Sequence, residues 1–312
     1  MLTASDGERE LAVLGSPIAH SKSPVLHEAA YSVLGLPWRY GRQELTPDAL
    51  EGFVLSRPDA WRGLSLTMPL KQSVLPLVST LDELARLTGA ANTILFDSDS
   101  AGGPVLRGFN TDVPGIVRAL SAAGTGSARS VLIWGGGATA ASAVVAAAEL
   151  GAHDVIVQVR EPSRAAHLTE LGHAVGLRVG IRTFGEPVVD RPDLVISTLP
   201  GTALAAGASR GILQGEGVAR AAAEGILLLD VAYDPWPTEI VSAWSAMAGQ
   251  AGARSNVLSG LAMLVHQALL QVRIFVFGDP ELELPHEESV LAAMLTAVGL
   301  DASGRPVAAC QN

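Results

Sequence analysis

Apolar and polar positions along this chain fall into two series, and each series reads as strands followed by helices. Residues 10–15 form a short apolar run ending in glycine, a strand that empties into a hydroxyl-rich loop over 16–24. Residues 25–34 carry apolar positions at helical spacing, 38–45 alternate as a strand does, and 47–56 read as a capped helix opened by Pro47. Residues 63–67 predict a short buried strand that delivers Met68-Pro69-Leu70-Lys71 into a loop. This alternation predicts a layered α/β unit.

The second series begins at Val131-Leu132-Ile133-Trp134 and continues through Val155-Ile156-Val157, Leu194-Val195-Ile196 and Ile226-Leu227-Leu228-Leu229. These runs are apolar without alternation, the pattern of parallel strands covered on both faces. The uncharged stretch 131–148 has the length of a membrane span. Three consecutive glycines interrupt it and its second half is mostly alanine, so strand, turn and helix explain it better. After Asn256, helical spacing returns over 260–277 and 287–298. The expected organisation is α/β: a first domain over 1–114, a Rossmann-type domain over 115–256 entered near Gly124-Thr125-Gly126, and C-terminal helices over 257–312 that pack back on the first domain.

Composition narrows the partners. The 312 residues suit two domains, and 48% hydrophobic residues with 4% aromatic ones imply cores of Ala, Val and Leu. A formal net charge of −10 argues against a general affinity for nucleic acid or an anionic membrane, so any anionic ligand must be held by local groups. The first ten residues are polar and acidic, without the basic and apolar regions of a secretory signal, and a cytoplasmic location is expected. The one cysteine, Cys310, can build neither a disulfide framework nor a cysteine-based zinc site. The seven histidines lack metal-binding spacing, so no metal is expected.

Only two basic residues are lysines, Lys22 and Lys71, and both sit in short runs of Ser, Thr, Pro and His. An amine can give and take a proton where a guanidinium cannot, which makes Lys71 a candidate catalytic group. Chance survival of two lysines in an arginine-rich chain explains the same observation. In the second series, Gly135-Gly136-Gly137-Ala138-Thr139-Ala140 follows an apolar strand and opens an alanine-rich helix, matching the dinucleotide pattern G-x-G-x-x-A. Such a turn lets backbone N–H groups approach a pyrophosphate, although any tight strand-to-helix connection can use glycine. About twenty residues on, where an NAD site places an acidic group, the chain reads Gln158-Val159-Arg160-Glu161-Pro162-Ser163-Arg164. Arg160 and Arg164 suit a 2′-phosphate, Glu161 is the one residue favouring NAD, and a charged helix start accounts for the whole cluster equally well.

Several ordered motifs resemble those of shikimate dehydrogenases. They are the run from Gly15 through Ser21-Lys22-Ser23-Pro24 to His27, Ser65-Leu66-Thr67-Met68-Pro69-Leu70-Lys71, Gly89-Ala90-Ala91-Asn92-Thr93, and Gly108-Phe109-Asn110-Thr111-Asp112-Val113-Pro114-Gly115. Asp230-Val231-Ala232-Tyr233-Asp234-Pro235 and the run from Gly260 to Gln267-Ala268 complete the set, over residues 11–270. The resemblance implies reduction of 3-dehydroshikimate to shikimate by NADPH, a step of chorismate and aromatic amino-acid biosynthesis, in a cleft between a substrate domain and a nucleotide domain. It implies Lys71 and Asp112 as the catalytic pair. Ser21 and Ser23 would meet the substrate carboxylate, and Thr67, Asn92, Asp112 and Gln267 its ring oxygens, with Tyr233 closing the pocket. Gly135, Gly136, Gly137, Ala138, Thr139, Ala140, Arg160 and Arg164 would hold NADP(H), with the backbone at Val231 and Gly260 beside the nicotinamide. Partners would be small molecules, and the assembly a monomer or a homodimer.

Each residue also has a purely structural explanation. Taken alone, Asp112 between Thr111 and Pro114 is better explained as a helix cap, and Asn92 as a turn residue. Gln267 suits a polar helix face, Ser21 and Ser23 suit loop hydroxyls that hold their own backbone, and His20, His27 and His266 suit structural histidines. The chain also departs from the family pattern at Glu28, Ala262, Val159 and Ser197-Thr198-Leu199-Pro200, which bears on cofactor geometry more than on reaction class. A quinate/shikimate or aminoshikimate dehydrogenase would share most motifs. A non-enzymatic dinucleotide-binding domain would share the glycine loop but has no use for Lys71 and Asp112.

Overall fold

Six strands, β1 (Glu10–Gly15), β2 (Arg39–Glu44), β3 (Trp61–Leu66), β4 (Thr80–Leu81), β5 (Thr93–Ser98) and β6 (Pro104–Phe109), form one sheet in the computed structural model. The structure describes residues 7–57, 60–98, 101–201 and 209–307, so Cys310 and the first six residues lie outside it. The strand order is β2-β1-β3-β5-β6-β4. β1 runs parallel to β2 and β3, whereas β5 is antiparallel to both β3 and β6. The alternating pattern predicted β1 to β3 and missed the β5–β6 pair, whose apolar runs are interrupted by Asp97, Arg107 and Gly108. Leu14, Leu50, Leu64, Leu66, Leu70, Val74 and Ile94 fill the core beneath this sheet.

The second sheet is parallel throughout, as continuous apolar runs require. Its strands are β7 (Ser130–Trp134), β8 (Asp154–Val159), β9 (Arg178–Thr183), β10 (Leu194–Ser197), β11 (Leu228–Asp230) and β12 (Val257–Ser259), in the order β12-β11-β10-β7-β8-β9. Strand order reverses between β7 and β10, the place where open α/β sheets form ligand crevices. The run 131–148 resolves into β7, a glycine turn and the helix Ala138–Glu149. One helix among the described residues, Gly260–Phe277, is long and apolar enough to cross a membrane, and 78% of that stretch is buried inside the protein.

The chain divides into two compact units: one holds Met1–Gly115, Leu264–Ala302 and Pro306–Asn312, the other Ile116–Met263 and Ser303–Arg305. The division falls inside the helix Asp112–Ala122, ahead of the Gly124-Thr125-Gly126 tract. The expected boundary between 256 and 257 needs correction, because β12 is an edge strand of the second sheet paired with β11. Three residues are too few to show a period. The helices Ser23–Leu34 and Glu287–Ala297 pack on each other in the first unit. In the second unit Gly304, at φ 74°, leaves room for the Ala262 methyl, which accommodates that departure from the family pattern.

Candidate active site

The register of the first sheet explains why residues far apart in sequence meet. Val13 pairs with Ser65, Ser65 with Thr93, and Thr93 with Phe109. The loops leaving β1, β3 and β6 therefore emerge at the same edge as the loop entering antiparallel β5. That edge receives Ser21 and Ser23, then Thr67 and Lys71, then Asn92, then Thr111 and Asp112. Backbone bonds join the loops: Ser16 N–H donates to the Met68 carbonyl (3.0 Å) and Ala91 N–H to the Lys71 carbonyl (2.9 Å). Gly15 is needed here, since a side chain would collide with Thr67 and the Met68 carbonyl.

Lys71 Nζ donates to Asp112 Oδ2 at 2.5 Å, with the two side chains 13% and 5% exposed. Asp112 does open its helix, but its carboxylate is committed to Lys71 and to Asn92 Nδ2, which donates to Oδ1 at 2.8 Å. Asn92 is bonded through both its oxygen and its nitrogen. Its Oδ1 accepts from Thr111 N–H (2.9 Å) and Thr93 Oγ1 (2.9 Å), and its Nδ2 also donates to Gln267 Oε1 (3.2 Å). Asn110 supports the turn before Asp112, accepting from Asp112 N–H (2.9 Å) and donating to Thr88 Oγ1 (2.8 Å) and the Ala90 carbonyl (3.1 Å). Gln267 reaches this group because Gly115 lets the two helices approach; a Cβ at 115 would collide with the Gln267 side chain.

The carboxylate-binding candidates are also buried. Ser21 Oγ donates to Ser23 Oγ at 3.3 Å, and Ser23 lies beside the Tyr40 hydroxyl. Lys22 is exposed and Thr67 is half-buried against Gly15. Burial lowers the His27 pKa to about 3 against an opposing hydrogen bond to Gln271, so this histidine is neutral and structural. Burial likewise raises Tyr40. Asp82, which caps the helix Glu83–Thr88 through Ala85 N–H at 2.7 Å, is pushed up to about 6 by burial. Sequence reasoning missed Ser65, Thr93, Thr111 and Gln271 as members of this assembly. Gln267 and Gln271, four apart on a mostly apolar helix, were the available signal.

In the second unit the cofactor candidates gather at one edge. Trp134 pairs with Gln158 and Ser197, Ser197 with Asp230, and Asp230 with Ser259, so the carboxyl ends of five strands align. The residues just beyond them are Gly135, Arg160, Thr198, Val231 and Gly260. Gly135 has φ 111°, a conformation that requires glycine, and a side chain there would strike Thr198. Gly136 lies against Val159 and Ala165. Gly137 caps the helix Ala138–Glu149 without a capping side chain, leaving its first N–H groups to an outside acceptor. Gly260 passes so close to the Val231 carbonyl that no side chain would fit, which brings those two candidates together. Arg160 and Arg164 are exposed, and Glu161 accepts from Ser163 Oγ at 3.4 Å. These residues fit a dinucleotide with an additional phosphate. Asp230, raised to about 6 by burial, accepts from Thr238 Oγ1 (2.6 Å) and Ala232 N–H (3.3 Å), pinning the turn that carries Tyr233. No cluster able to hold a metal ion occurs among the described residues.

Comparison with known proteins gives a consistent result. The family model for the shikimate dehydrogenase substrate binding domain matches residues 13–94. A shikimate dehydrogenase (NADP(+)) of Halothermothrix orenii is 33% identical over 284 residues, 86% of this chain and 91% of the relative. The crystal structure of Mycobacterium tuberculosis shikimate dehydrogenase superposes with a TM-score of 0.74 at 36% identity, covering 92% of this chain and 99% of that one. The Thermus thermophilus shikimate 5-dehydrogenase, solved in complex with NADP(H) and shikimate, gives a TM-score of 0.70 at 29% identity over 93% and 99% of the two chains.

Proposed function

This chain belongs to the shikimate dehydrogenase family, and we propose that it catalyses the reversible, NADPH-dependent reduction of 3-dehydroshikimate to shikimate, with Lys71 and Asp112 as the catalytic pair. The observation that carries the reading is the buried Lys71–Asp112 contact at 2.5 Å, held from behind by Asn92. The first unit is the substrate domain in this reading and the second the nucleotide domain. Its partners are small molecules, and its place is the cytoplasm.

The substrate carboxylate pairs with the Ser21 and Ser23 hydroxyls. Ring hydroxyls and the ketone pair with Thr67, Asn92, Asp112 and Gln267, the Asp112 carboxylate as acceptor, which keeps each substrate oxygen from being buried unpaired. Tyr233 covers the substrate. NADPH, when bound by Gly135 to Ala140, Arg160 and Arg164 with its nicotinamide beside Val231 and Gly260, supplies the hydride. Lys71 donates a proton to the oxygen as negative charge develops there, and in the oxidation direction the neutral amine takes it back. Asp112 holds Lys71 in place and accepts from the reacting hydroxyl.

The alternatives in the same family are quinate/shikimate and aminoshikimate dehydrogenases. Quinate adds a hydroxyl on the carbon bearing the carboxylate, where Ser21 and Ser23 are buried and close. NADP-linked oxidation of shikimate, quinate and aminoshikimate should give by far the highest kcat/KM for shikimate. Comparable constants for quinate would show a broader pocket and overturn the assignment.

A further inference from the structure

Beneath the candidate pair lies a buried polar chain that the reaction itself does not use. Gln271, 1% exposed on the helix Gly260–Phe277, stands at its centre. Its Oε1 accepts from Ser65 Oγ (2.7 Å) and from His27 Nε2 (3.3 Å). Its Nε2 donates to Thr93 Oγ1 (3.0 Å) and to the Asn92 carbonyl (3.3 Å). Tyr40 Oη donates to Ser65 Oγ at 2.6 Å, and the Tyr31 hydroxyl is hydrogen-bonded to His27 Nδ1 at 3.1 Å. The His27 ring stacks on Tyr40, with centroids 3.9 Å apart.

These bonds have one consistent direction. The Asn92 carbonyl can only accept, so the Gln271 NH2 faces it and Oε1 faces His27; the neutral ring then carries its proton on Nε2 and leaves Nδ1 to accept from Tyr31. Ser65 accepts from Tyr40 and must therefore donate to Gln271. The Gln271 amide cannot flip, because its oxygen would then face the Asn92 carbonyl oxygen. With the NH2 directed at Thr93, the one Thr93 proton is left for Asn92 Oδ1, at 2.9 Å. Asn92 in turn presents Nδ2 to Asp112. At the other end, Tyr40 touches both Ser65 and Ser23, one of the carboxylate-binding candidates. The same amide thus reaches both ends of the substrate site.

We propose that Gln271 is a positioning residue: through Thr93 and Asn92 it holds Asp112 and Lys71, and through Ser65 and Tyr40 it holds Ser23, so that the carboxylate end and the reacting end keep their spacing. This rests on the functional reading above. A small misplacement of a reacting group costs up to about a hundredfold in rate, and a loosened rather than deleted support should cost about tenfold.

The test compares Gln271→Met and the pair Thr93→Val and Thr93→Ser with the unmutated enzyme, measuring kcat, both KM values and Tm. Gln271→Met and Thr93→Val should each lower kcat about tenfold and leave the KM for NADP+ within about twofold, while Thr93→Ser, which keeps the hydroxyl, retains most of the activity. If Gln271→Met and Thr93→Val lower Tm but leave kcat within about twofold, the chain only fastens the core and the proposal is overturned. Equal losses in Thr93→Ser and Thr93→Val would place the cause in packing and overturn it too. Should Gln271→Met fail to fold, the Thr93 pair decides. Lys71→Ala is measured in parallel: full turnover there sinks the catalytic reading and this inference with it, whereas an inactive Lys71→Ala beside a fully active Gln271→Met sinks only the inference.

Discussion

In the first unit the Lys71 ammonium, the Asp112 carboxylate and the Asn92 amide are buried and bonded to one another, whereas the second unit offers backbone groups at Gly135 to Gly137 and two exposed guanidiniums. The first arrangement fixes the position of every polar atom, because a buried donor left without an acceptor costs about 1–3 kcal/mol. The second fixes only the path of the backbone and leaves charge at its surface. A site for chemistry on one bond needs the former. Holding a long anionic cofactor that must come and go is met by the latter, with helix N–H groups and arginines supplying attraction without burial.

The sharpest way to break the comparison is at Lys71. If position and proton transfer are both required, Lys71→Arg loses turnover nearly as badly as Lys71→Ala, by about a hundredfold or more, with the KM for NADP+ little changed. A Lys71→Ala enzyme with normal turnover and a raised substrate KM would make Lys71 a binding residue, and the two sites would then differ in burial alone.

The second unit should fail differently. Replacing Arg160 and Arg164 together by alanine should raise the KM for NADP+ about tenfold or more, since two exposed charge-assisted bonds are lost, and leave that for NAD+ almost unchanged. The kcat should persist. Equal use of NADP+ and NAD+ by the unmutated enzyme would remove the role of these arginines in cofactor choice.

The smallest effect concerns the support beneath the first site. His27 is depressed to about 3 in the folded protein, so it contributes stability present above its unfolded pKa that is lost as pH falls through the window from about 6.5 to about 3. Asp82 and Asp230 are raised to about 6, so their contribution has the opposite sign: full below about 4 and lost as pH rises through about 6. The measurement is therefore a difference between the enzyme and His27→Gln. From pH 7 to pH 6 the enzyme should lose about 0.7 kcal/mol relative to the variant in denaturant unfolding. Parallel pH profiles would show that His27 is not held neutral.

Much of the candidate site was legible because its parts are local. Gly135-Gly136-Gly137 between an apolar strand and an alanine-rich helix determines a tight turn whatever surrounds it, and the segment bearing Lys71 follows directly from β3, although Lys71 sits in a short helix, Leu70–Ser73, rather than the expected loop. The antiparallel β5–β6 pair, whose apolar runs are broken by Asp97 and Arg107, was not legible, nor was three-residue β12, because such strands take their structure from the neighbours they pair with. Asp112 illustrates the limit. Its sequence context is that of a helix cap, and its structure is that of a helix start whose carboxylate is committed elsewhere.

What the sequence by itself determined was therefore the order of strands and turns, the family motifs and the types of group available at each loop, all of which depend on residues close together in the chain. Tertiary structure alone decided which of those groups meet. Lys71 and Asp112 are 41 residues apart, Asn92 and Gln267 are 175, and His27 and Gln271 are 244. A hydrogen bond acts over about 3 Å, so these contacts exist only once sheet register brings Ser65, Thr93 and Phe109 level and Gly115 admits the helix that carries both glutamines.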